Sequence, residues 1–317
     1  MTMRPNQWII LAALFGASWP AAKAQIPQDR PELCGSLNPI SLPEGLSAVP
    51  TQLGADMTLR LLNGSSKTVE LRATDEIRQI CPLDRDRLLV FGVVPGDDGY
   101  IIWILRLQDG SILDTIGTRS PALSPDRRWL IYRQRYPTQS ELRFESYLLY
   151  DLAGDAAANR SPDARHLYPP GRLVYPVTEK RTRLEDLIVS PDQYHEFPGP
   201  SFFWSADSKA VAFTDRVGEA ISIVVIRDVG DEPTAYVQKM SIVDICSGKQ
   251  LAEDLISSVA LSGAYFNQGT GDVLVEFSPQ SWMGSDLANC RKSLTLNSTN
   301  LKRAGVEPHR LLDPPGK

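Results

Sequence analysis

The chain alternates short apolar runs with polar clusters that are typical of turns, and the pattern recurs about every 40 residues. Its clearest copies run from Ser124 to Tyr132 and from Ser205 to Phe213. In both, an Asp stands six residues before the aromatic residue that closes the run, so the copies superimpose without a gap at a separation of 81 residues. Runs this short, bounded by turn residues, predict strands rather than helices.

Two eroded copies, Asp84 to Phe91 and Pro170 to Tyr175, extend the series. The aromatic residues that close the four copies are Phe91, Tyr132, Tyr175 and Phe213. Their spacings are 41, 43 and 38 residues. Short strands repeated at this period are typical of a β-propeller, in which each repeat forms one blade. We therefore predict an all-β propeller of four-stranded blades. Five or six blades fit the pattern best, and seven is a further alternative.

The apolar runs inside the repeats indicate where strands lie within a blade. Residues 100–105 and 221–226 are almost continuously apolar, which is typical of a strand covered on both faces. Before the first repeat, residues 57–62 and 68–72 flank Asn63-Gly64-Ser65-Ser66, a strong hairpin signal. In one interpretation this hairpin completes the last blade and closes the ring.

The N-terminus has the three parts of a secretory signal peptide. A positive start containing Arg4 precedes an apolar run from Trp8 to Trp19, and Ala22-Lys23-Ala24 follows. We expect cleavage after Ala24 and an extracytoplasmic location, periplasmic or secreted; an uncleaved N-terminal anchor is the alternative. No other apolar run is long enough to cross a bilayer, so we expect no stable membrane span after cleavage.

Composition divides the rest of the chain into three parts. Residues 25–52 contain five prolines and show no strand or helix periodicity, so we expect an irregular lead-in there. Residues 53–301 carry the repeats and form the predicted propeller. Residues 302–317 are rich in proline near their end and are expected to form a flexible tail.

The charge balance argues against nucleic acid as a partner. Loss of residues 1–24 removes Arg4 and Lys23 but no acid, which leaves 31 basic and 38 acidic residues and a net charge of −7. Proteins that bind nucleic acid depend on Lys and Arg to neutralise phosphates. A protein or peptide partner is therefore expected instead.

Four cysteines remain after cleavage, namely Cys34, Cys81, Cys246 and Cys290. An even number in an exported chain favours disulfides, with three connectivities open. Because neighbouring repeats contact mainly each other, we favour Cys34 with Cys81 and Cys246 with Cys290. The alternative is that one or both pairs stay reduced.

The phrase Ser124-Pro125-Asp126 and its variant Trp204-Ser205-Ala206-Asp207-Ser208 resemble the repeat of the TolB-like propeller family, whose consensus is roughly Trp-Ser-Pro-Asp-Gly before a strand. The resemblance is to the repeat only, and the consensus Gly is Arg127 or Ser208 here. It implies a propeller scaffold that is often extracytoplasmic and often binds other proteins.

Asp126 and Asp207 invite a catalytic or metal-binding interpretation, but a structural one is stronger. An Asp that begins a turn accepts hydrogen bonds from backbone amides two residues on. We therefore predict that both residues stabilise turns. Phe202, Phe203 and Trp204 have two interpretations: packing between blades, or a contact surface near the mouth of the central channel.

The candidates for catalysis are weak. The three histidines are His166, His195 and His309, and they do not form a metal-binding pattern. The chain has no Gly-x-Ser-x-Gly sequence. The acidic pairs Asp97-Asp98, Glu185-Asp186 and Asp231-Glu232 fall in predicted loops, where solvated turn residues are the usual interpretation and a calcium site is the alternative.

These patterns predict an exported, disulfide-stabilised propeller that works as a protein- or peptide-binding scaffold. We assign it no catalytic residue, cofactor or metal. The alternative is an extracytoplasmic hydrolase or lyase that uses loop carboxylates around the channel, so enzymatic activity stays open but is the less favoured class. A third interpretation is an incomplete array that closes only with a partner chain.

Overall fold

The structure is a computed structural model that describes residues 40–41, 47–50, 56–61, 63–71, 74, 76–93, 99–137, 143–154, 159, 170–175, 201–217, 220–241, 259–279 and 293–305. The regular elements in these residues are strands: β1 (Ile40–Ser41), β2 (Ser47–Pro50), β3 (Asp56–Arg60), β4 (Ser66–Glu70), β5 (Glu76–Pro82), β6 (Arg87–Val93), β7 (Tyr100–Arg106), β8 (Ile112–Leu123), β9 (Trp129–Pro137), β10 (Arg143–Asp151), β11 (Arg172–Tyr175), β12 (Phe203–Trp204), β13 (Val211–Val217), β14 (Ala220–Arg227), β15 (Thr234–Ser241), β16 (Val259–Phe266), β17 (Val273–Pro279), β18 (Ser293–Leu296) and β19 (Lys302–Arg303).

The strands form antiparallel sheets that follow the order of the chain. Sheet 1 contains β1–β4, sheet 4 contains β12–β15 with β19 at its edge, and sheet 5 contains β16–β18. A seven-stranded sheet lies between sheets 1 and 4, and we divide it at β8 into sheet 2 (β5–β8) and sheet 3 (β8–β11). Strand β8 pairs with β7 up to Thr118 and with β9 from Arg119. An irregularity after Arg119, where Ser120 has a φ of 46°, marks the change of partner.

Consecutive sheets pack face to face. A hydrophobic cluster fills each of the four interfaces between successive sheets: 1 and 2, 2 and 3, 3 and 4, and 4 and 5. Alternate residues of a strand point to opposite faces, so one strand serves two interfaces. In β9, for example, Leu130 and Tyr132 pack towards sheet 2, whereas Ile131 packs towards sheet 4. Stacked antiparallel sheets of this kind are the blades of a β-propeller, and the predicted fold class is confirmed. The number of blades in the complete chain stays a prediction.

The predicted central strands and the predicted hairpin are present. Strands β7 and β14 each lie between two hydrogen-bonded neighbours. Strands β3 and β4 pair across the turn at residues 61–65, where the Gly64 amide donates to the Leu61 carbonyl at 2.9 Å. The suggestion that this hairpin completes the last blade is wrong, because its strand β3 pairs with β2 in sheet 1.

One of the eroded repeats occupies a different place in its sheet from the other copies. Phe91, Tyr132 and Phe213 lie in the second strands of sheets 2, 3 and 4. Tyr175 instead lies in β11, the outer strand of sheet 3. A Pro-Gly turn followed by an apolar tripeptide suits an outer strand as well as an inner one, so the sequence pattern did not separate the two.

Two of the expected boundaries cross the sheets. Strands β1 and β2 lie within the predicted lead-in of residues 25–52, and β2 pairs with β3. At the other end, β19 lies within the predicted tail and pairs with β15. Backbone pairing needs no alternation of side chains, so these short strands have no hydrophobic pattern that predicts them. In the described part of the chain, no helix has the length and apolar character required to cross a bilayer. The predicted signal peptide lies outside the described residues.

Candidate functional site

A groove of about 1250 Å³ lies where the polar turns of sheets 1, 2 and 3 meet. Its floor consists of Ile104, Leu113, Asp114 and Tyr150. Its rim consists of Asn63, Asp84, Asp86, Arg106, Gln108 and Asp109. Arg106 is the last residue of β7, and the other rim residues belong to three turns, which join β3 to β4, β5 to β6, and β7 to β8. Ala153 and Gly154, which follow β10, form the side of the groove that belongs to sheet 3.

The three rim turns share one local device. In each turn the side-chain oxygen of an Asn or Asp residue accepts a hydrogen bond from the backbone amide two residues on, at 2.9–3.0 Å. The accepting residues are Asn63, Asp84 and Asp109. Such Asx turns fix the backbone without help from regular structure. The rim is therefore held by short-range bonds within each turn.

Arg87 joins sheet 2 to sheet 3 beside the groove. Its Nε donates to Asp84 Oδ2 at 2.7 Å, and its Nη1 donates to the carbonyl of Leu152 at 2.6 Å. Partial burial alone would raise the pKa of Asp84, but the hydrogen bonds from the Arg87 side chain and the Asp86 amide outweigh it and lower that pKa from 3.8. Asp84 is therefore ionised at neutral pH and its charge is balanced by Arg87.

Asp109 links sheet 1 to sheet 2, much as Arg87 links sheet 2 to sheet 3. Its carbonyl accepts from Lys67 Nζ of sheet 1 at 2.7 Å, and its Oδ1 accepts from Ser111 Oγ at 2.7 Å. The hydrogen bonds from the Ser111 side chain and amide lower the pKa of Asp109, with smaller contributions from Arg106 and Lys67. Arg106 Nη1 lies 3.7 Å from Asp109 Oδ2, and both side chains are exposed, so this ion pair is weak.

A buried carboxylate forms part of the groove floor. Asp114 is 7% exposed, and its Oδ2 accepts a hydrogen bond from the hydroxyl of Tyr150 at 2.8 Å. Its Oδ1 accepts from the amide of Thr115 at 2.8 Å. Asp114 lies on β8 of sheet 2 and Tyr150 on β10 of sheet 3, so the bond crosses the interface under the groove.

The groove carries an excess of negative charge. Its lining contains the four carboxylates of Asp84, Asp86, Asp109 and Asp114 against the two guanidinium groups of Arg87 and Arg106. The carboxylate of Asp86 is exposed, and it has no hydrogen bond or ion pair within the described part of the chain. Among the described residues, no three His, Cys, Asp or Glu side chains converge on a point where a metal ion could bind.

A second bond of the same type lies on the other face of β10, away from the groove. The hydroxyl of Tyr147 donates to Asp215 Oδ1 at 2.8 Å, and both residues are buried. Aromatic rings surround this pair: the ring of Phe213 lies 4.4 Å from that of Tyr147 and 5.1 Å from that of Phe202. This bond joins sheet 3 to sheet 4 in a sealed interface.

The predicted turn residues lie outside the groove, in two turns with the same bonds. Asp126 Oδ1 accepts from Ser124 Oγ at 2.6 Å and from the Arg128 amide at 3.1 Å. In the second copy, Asp207 Oδ1 accepts from Ser205 Oγ at 2.6 Å and from the amide two residues on at 3.2 Å. The carboxylates thus occupy the positions of turn acceptors, and their contribution to stability stays a prediction.

The backbone of these turns is left-handed at the position where the TolB-like repeat consensus has Gly. Arg127 and Ser208, which stand in place of the consensus Gly, both have a φ of 60°. Glycine adopts this left-handed conformation without steric cost, whereas other residues do so rarely. The two turns also contact each other, because the Asp126 amide donates to Ser208 Oγ at 3.0 Å.

Phe202, Phe203 and Trp204 are half-buried and pack against the cores on either side of sheet 4. Phe202 and Trp204 contact the cluster shared with sheet 3, whereas Phe203 contacts the cluster shared with sheet 5. Trp204 Nε1 donates to the carbonyl of Ala122 at 3.4 Å. These contacts favour packing between blades over an open contact surface.

Of the four cysteines, Cys81 alone lies in the described residues. It is buried between sheets 2 and 3 and does not carry a free thiol. Cys34, Cys246 and Cys290 lie outside the described residues, so the two favoured pairings stay predictions. The three histidines and the pairs Asp97-Asp98 and Glu185-Asp186 lie outside as well. Asp231 and Glu232 are exposed in the turn between β14 and β15.

The repeat pattern alone does not indicate the groove. Asp114 and Tyr150 lie in separate strands, and their meeting depends on the packing of sheet 2 on sheet 3. A signal was present in the strand β8 itself, where Asp114 interrupts a run of alternating residues at a position that faces the core. A charged residue at a buried strand position indicates a specific partner.

Comparison with known proteins gives likeness at the level of fold at most. No family model matches the chain, and no curated protein sequence matches it. The β-propeller domain of the Trilobed protease from Pyrococcus furiosus is 12% identical, with a TM-score of 0.28 over 88% of this chain and 85% of that one. TolB from Acinetobacter baumannii is 12% identical, with a TM-score of 0.20 over 78% of this chain and 61% of that one.

Oligopeptidase B from Leishmania major is similar over 80% of this chain but only 33% of its own, at 10% identity and a TM-score of 0.37. The chain therefore spans about a third of that protein and less than two thirds of TolB. TM-scores this low carry no argument about activity or binding. The assignment of the fold rests on the sheets themselves.

Proposed function

We propose that this protein is an exported β-propeller that binds a protein or peptide partner and acts as a scaffold, with the groove between sheets 1, 2 and 3 as the binding site. The observation that carries the proposal is the groove itself. It is the place where the turns of three sheets meet, and ligands of rigid β scaffolds commonly bind at such loop clusters. Its partner would contact several sheets at once.

The size of the groove favours a peptide segment over a small molecule. Clefts for small molecules usually measure about 300–1,000 Å³. The groove here measures about 1250 Å³, and polar side chains surround Ile104 and Leu113 in its lining. A hydrophobic centre surrounded by polar residues is also the usual plan of a protein-binding surface. An extended segment of a partner would satisfy both features.

The bonds of the lining residues favour binding over catalysis. Asp84 is held by Arg87, Asp109 by Ser111, and Asp114 by Tyr150. Each bond supports a turn or an interface, which suits a surface that must keep its shape. The competing proposal, an extracytoplasmic hydrolase or lyase, would need some of these carboxylates to be directed at a common reacting atom.

The rigidity of the rim supports a role as a scaffold. Arg87 ties sheet 2 to sheet 3, and Lys67 ties sheet 1 to sheet 2. A surface that is already ordered loses little conformational entropy when a partner binds. Export follows from the sequence alone and is part of the proposal.

The test is partner capture with matched variants. The mature chain is tagged, crosslinked mildly in its native extracytoplasmic fraction and purified, and its partners are identified by mass spectrometry. Ala153→Trp places a large ring in the groove, whereas Ala206→Trp places the same ring on an exposed turn of sheet 4. We expect one reproducible partner with the wild type and with Ala206→Trp, and about a tenfold lower yield with Ala153→Trp.

Two results would contradict this proposal. Equal recovery of the partner with both Trp variants would place the binding surface elsewhere. A partnerless, monodisperse chain under all conditions would remove the support for a scaffold and direct attention to hydrolase or lyase activity. Circular dichroism of both variants shows whether they fold.

A further inference from the structure

We infer that the partner segment bound in the groove continues as an added β-strand along the open edge of β8, residues 112–118, and binds there through main-chain hydrogen bonds. This inference rests on the proposed function, since it names the chemistry of the partner at the same site: an extended, uncharged peptide segment. Three observations lead to it, namely the unpaired edge of β8, the lack of the usual protection on that edge, and its continuity with the groove.

The edge of β8 is open over this stretch. Residues 112–118 pair with β7 on one side, and in the part of the chain that the structure describes they pair with no strand on the other. The Thr115 amide donates to Asp114 Oδ1 at 2.8 Å and so is not used in the ladder with β7. Because residues two apart in a strand direct their backbone groups to the same side, the amide and carbonyl of Gly117 also point away from β7. An extended chain can pair with such an edge.

The last strands of the other sheets are protected, whereas β8 is not. Natural edge strands avoid pairing with other chains through short length, charged side chains or Pro. Strand β4 exposes Lys67 and Glu70, and β11, β18 and β19 have only two to four residues each. The open part of β8 is longer than these, and its one charged side chain, Asp114, is buried. This edge therefore lacks the features that prevent strand addition.

The exposed residues of β8 suit an uncharged partner strand. Ile112 is 42% exposed, and Thr115 and Gly117 are exposed as well. A Cβ atom at Gly117 would meet no other atom within 4 Å, and the φ of Gly117 is not left-handed. Neither packing nor backbone conformation therefore requires glycine at this position. A glycine inside a strand often marks a place where another backbone approaches closely.

The open edge is continuous with the groove. Leu113 and Asp114 belong to this strand and also line the groove. An extended segment bound in the groove can therefore continue along β8. In strand addition, main-chain hydrogen bonds supply affinity and the pockets for side chains supply specificity. The edge and the groove would divide these two tasks.

The experiment uses the full mature chain and two defined probes. The first is a pool of labelled ten-residue peptides with Thr, Ser, Gln, Val and Ile in random order. The second has the same side chains, but its peptide nitrogens are methylated and cannot donate hydrogen bonds. By fluorescence anisotropy, we expect the first pool to bind about tenfold more tightly, from the loss of several main-chain bonds in the second.

Hydrogen–deuterium exchange locates the bound peptides. When the first pool is bound, exchange should slow in the proteolytic fragment that contains residues 112–118, because paired edge amides are protected. Equal binding of the two pools would overturn the inference, and so would unchanged exchange in this fragment.

Variants assign the binding to the edge. Thr115→Lys adds the charged side chain that natural edge strands use, whereas Thr68→Lys makes the same change at an exposed position of β4. We expect Thr115→Lys to weaken binding of the first pool about fivefold and Thr68→Lys to leave it unchanged. Gly117→Pro removes an amide that points away from β7 and should weaken binding as well. Circular dichroism shows whether each variant folds. Binding that both Thr115→Lys and Gly117→Pro leave intact would contradict the inference.

A second copy of the chain is the competing occupant of this edge. Light scattering of the wild type without peptide tests for it. A dimer that Thr115→Lys prevents would assign the edge to a second copy and overturn the inference, whereas a monomer leaves the edge open to a partner segment, as we expect.

Partner capture separates this inference from the proposed function. If the partner is lost in Ala153→Trp but kept in Thr115→Lys, the groove binds and only the inference fails. If the partner is lost in both variants, both proposals are supported, and if it is kept in both, both fail. Loss in Thr115→Lys alone would support the edge and contradict the groove as the binding site.

Discussion

The two faces of β10 carry the same pair of side chains in different surroundings. On one face Tyr150 donates to Asp114, and on the other Tyr147 donates to Asp215, each at 2.8 Å. The first pair lies under the groove, whereas the second is enclosed by the rings of the sheet 3–4 interface. A buried Tyr–Asp bond therefore joins blades on both faces, and what distinguishes the candidate site is the access to it from outside.

This comparison separates structure from function within one strand. Tyr147 and Tyr150 are three residues apart, so they point to opposite faces. Each bond satisfies a carboxylate that would be costly to bury alone. The bond of Asp114 thus joins two sheets, and the turns of sheets 1, 2 and 3 leave an open groove above it.

The largest predicted losses of stability should be equal at the two interfaces of sheet 3, with sheet 2 and with sheet 4. Phe213 is fully buried between sheets 3 and 4, and Phe91 is almost fully buried between sheets 2 and 3, where it stacks on Tyr100 at 4.8 Å. Phe213→Ala and Phe91→Ala should each lower the free energy of unfolding by about 3–5 kcal/mol. Urea denaturation measures both. A loss below 1 kcal/mol for either would show that its interface is not packed as described.

Loss of the two Tyr–Asp hydrogen bonds should lower the free energy of unfolding by different amounts, unlike loss of the two aromatic rings. Tyr147→Phe leaves Asp215 in an interface sealed by aromatic rings, so we expect a loss of about 2–3 kcal/mol. Tyr150→Phe leaves Asp114 at the floor of a groove that water can enter, so we expect about 1 kcal/mol. Both losses are measured by urea denaturation with the wild type as the reference.

The control for this difference changes the charge rather than the donor. Tyr147→Phe combined with Asp215→Asn should recover part of the loss, because an amide costs less to bury than a carboxylate. If Tyr150→Phe proves as destabilising as Tyr147→Phe, access to water does not distinguish the two sites, and the comparison fails.

How much of this could be read from the sequence depends on the range of the interactions. The repeat, the central strands and the Asp-initiated turns follow from residues close together in the chain, and they were predicted. The groove depends on Asp114 and Tyr150, which are 36 residues apart and meet only when sheet 2 packs on sheet 3. Strand β19 and the position of Tyr175 were missed for a related reason, because they depend on which sheet edge is free.

A smaller effect should appear in the two copies of the repeated turn, which lie at the start of β9 and of β13. Asp126→Ala and Asp207→Ala each remove an acceptor of two hydrogen bonds on an exposed turn, so each should cost about 1 kcal/mol and lower the melting temperature. Equal losses would show that the two turns stabilise sheet 3 and sheet 4 alike. A variant that melts with the wild type would contradict the structural role.

The smallest effect concerns pH and again uses the repeated turn. The hydrogen bond from Ser205 is the largest cause that lowers the pKa of Asp207 from 3.8, and the Lys209 amide and charge assist it. A carboxyl whose pKa is lower in the folded state contributes stability above its unfolded pKa and loses it as the pH falls through the folded value. Protonation of Asp207 should therefore destabilise the folded protein progressively below about pH 4.

Asp207→Asn removes this titration while it keeps a side-chain acceptor, so the melting temperature of the variant should fall less steeply between about pH 4 and pH 2 than that of the wild type. Asp231→Asn, on a nearby turn of the same sheet, serves as the matched control. The side chain of Asp207 is largely exposed, so the difference should be smaller than the loss in Asp207→Ala. Parallel curves for wild type and Asp207→Asn would mean that the turn depends on the geometry of the acceptor and not on its charge. In that case the test of charge against shape would fall to the two buried carboxylates that accept from the Tyr residues of β10, Asp114 and Asp215.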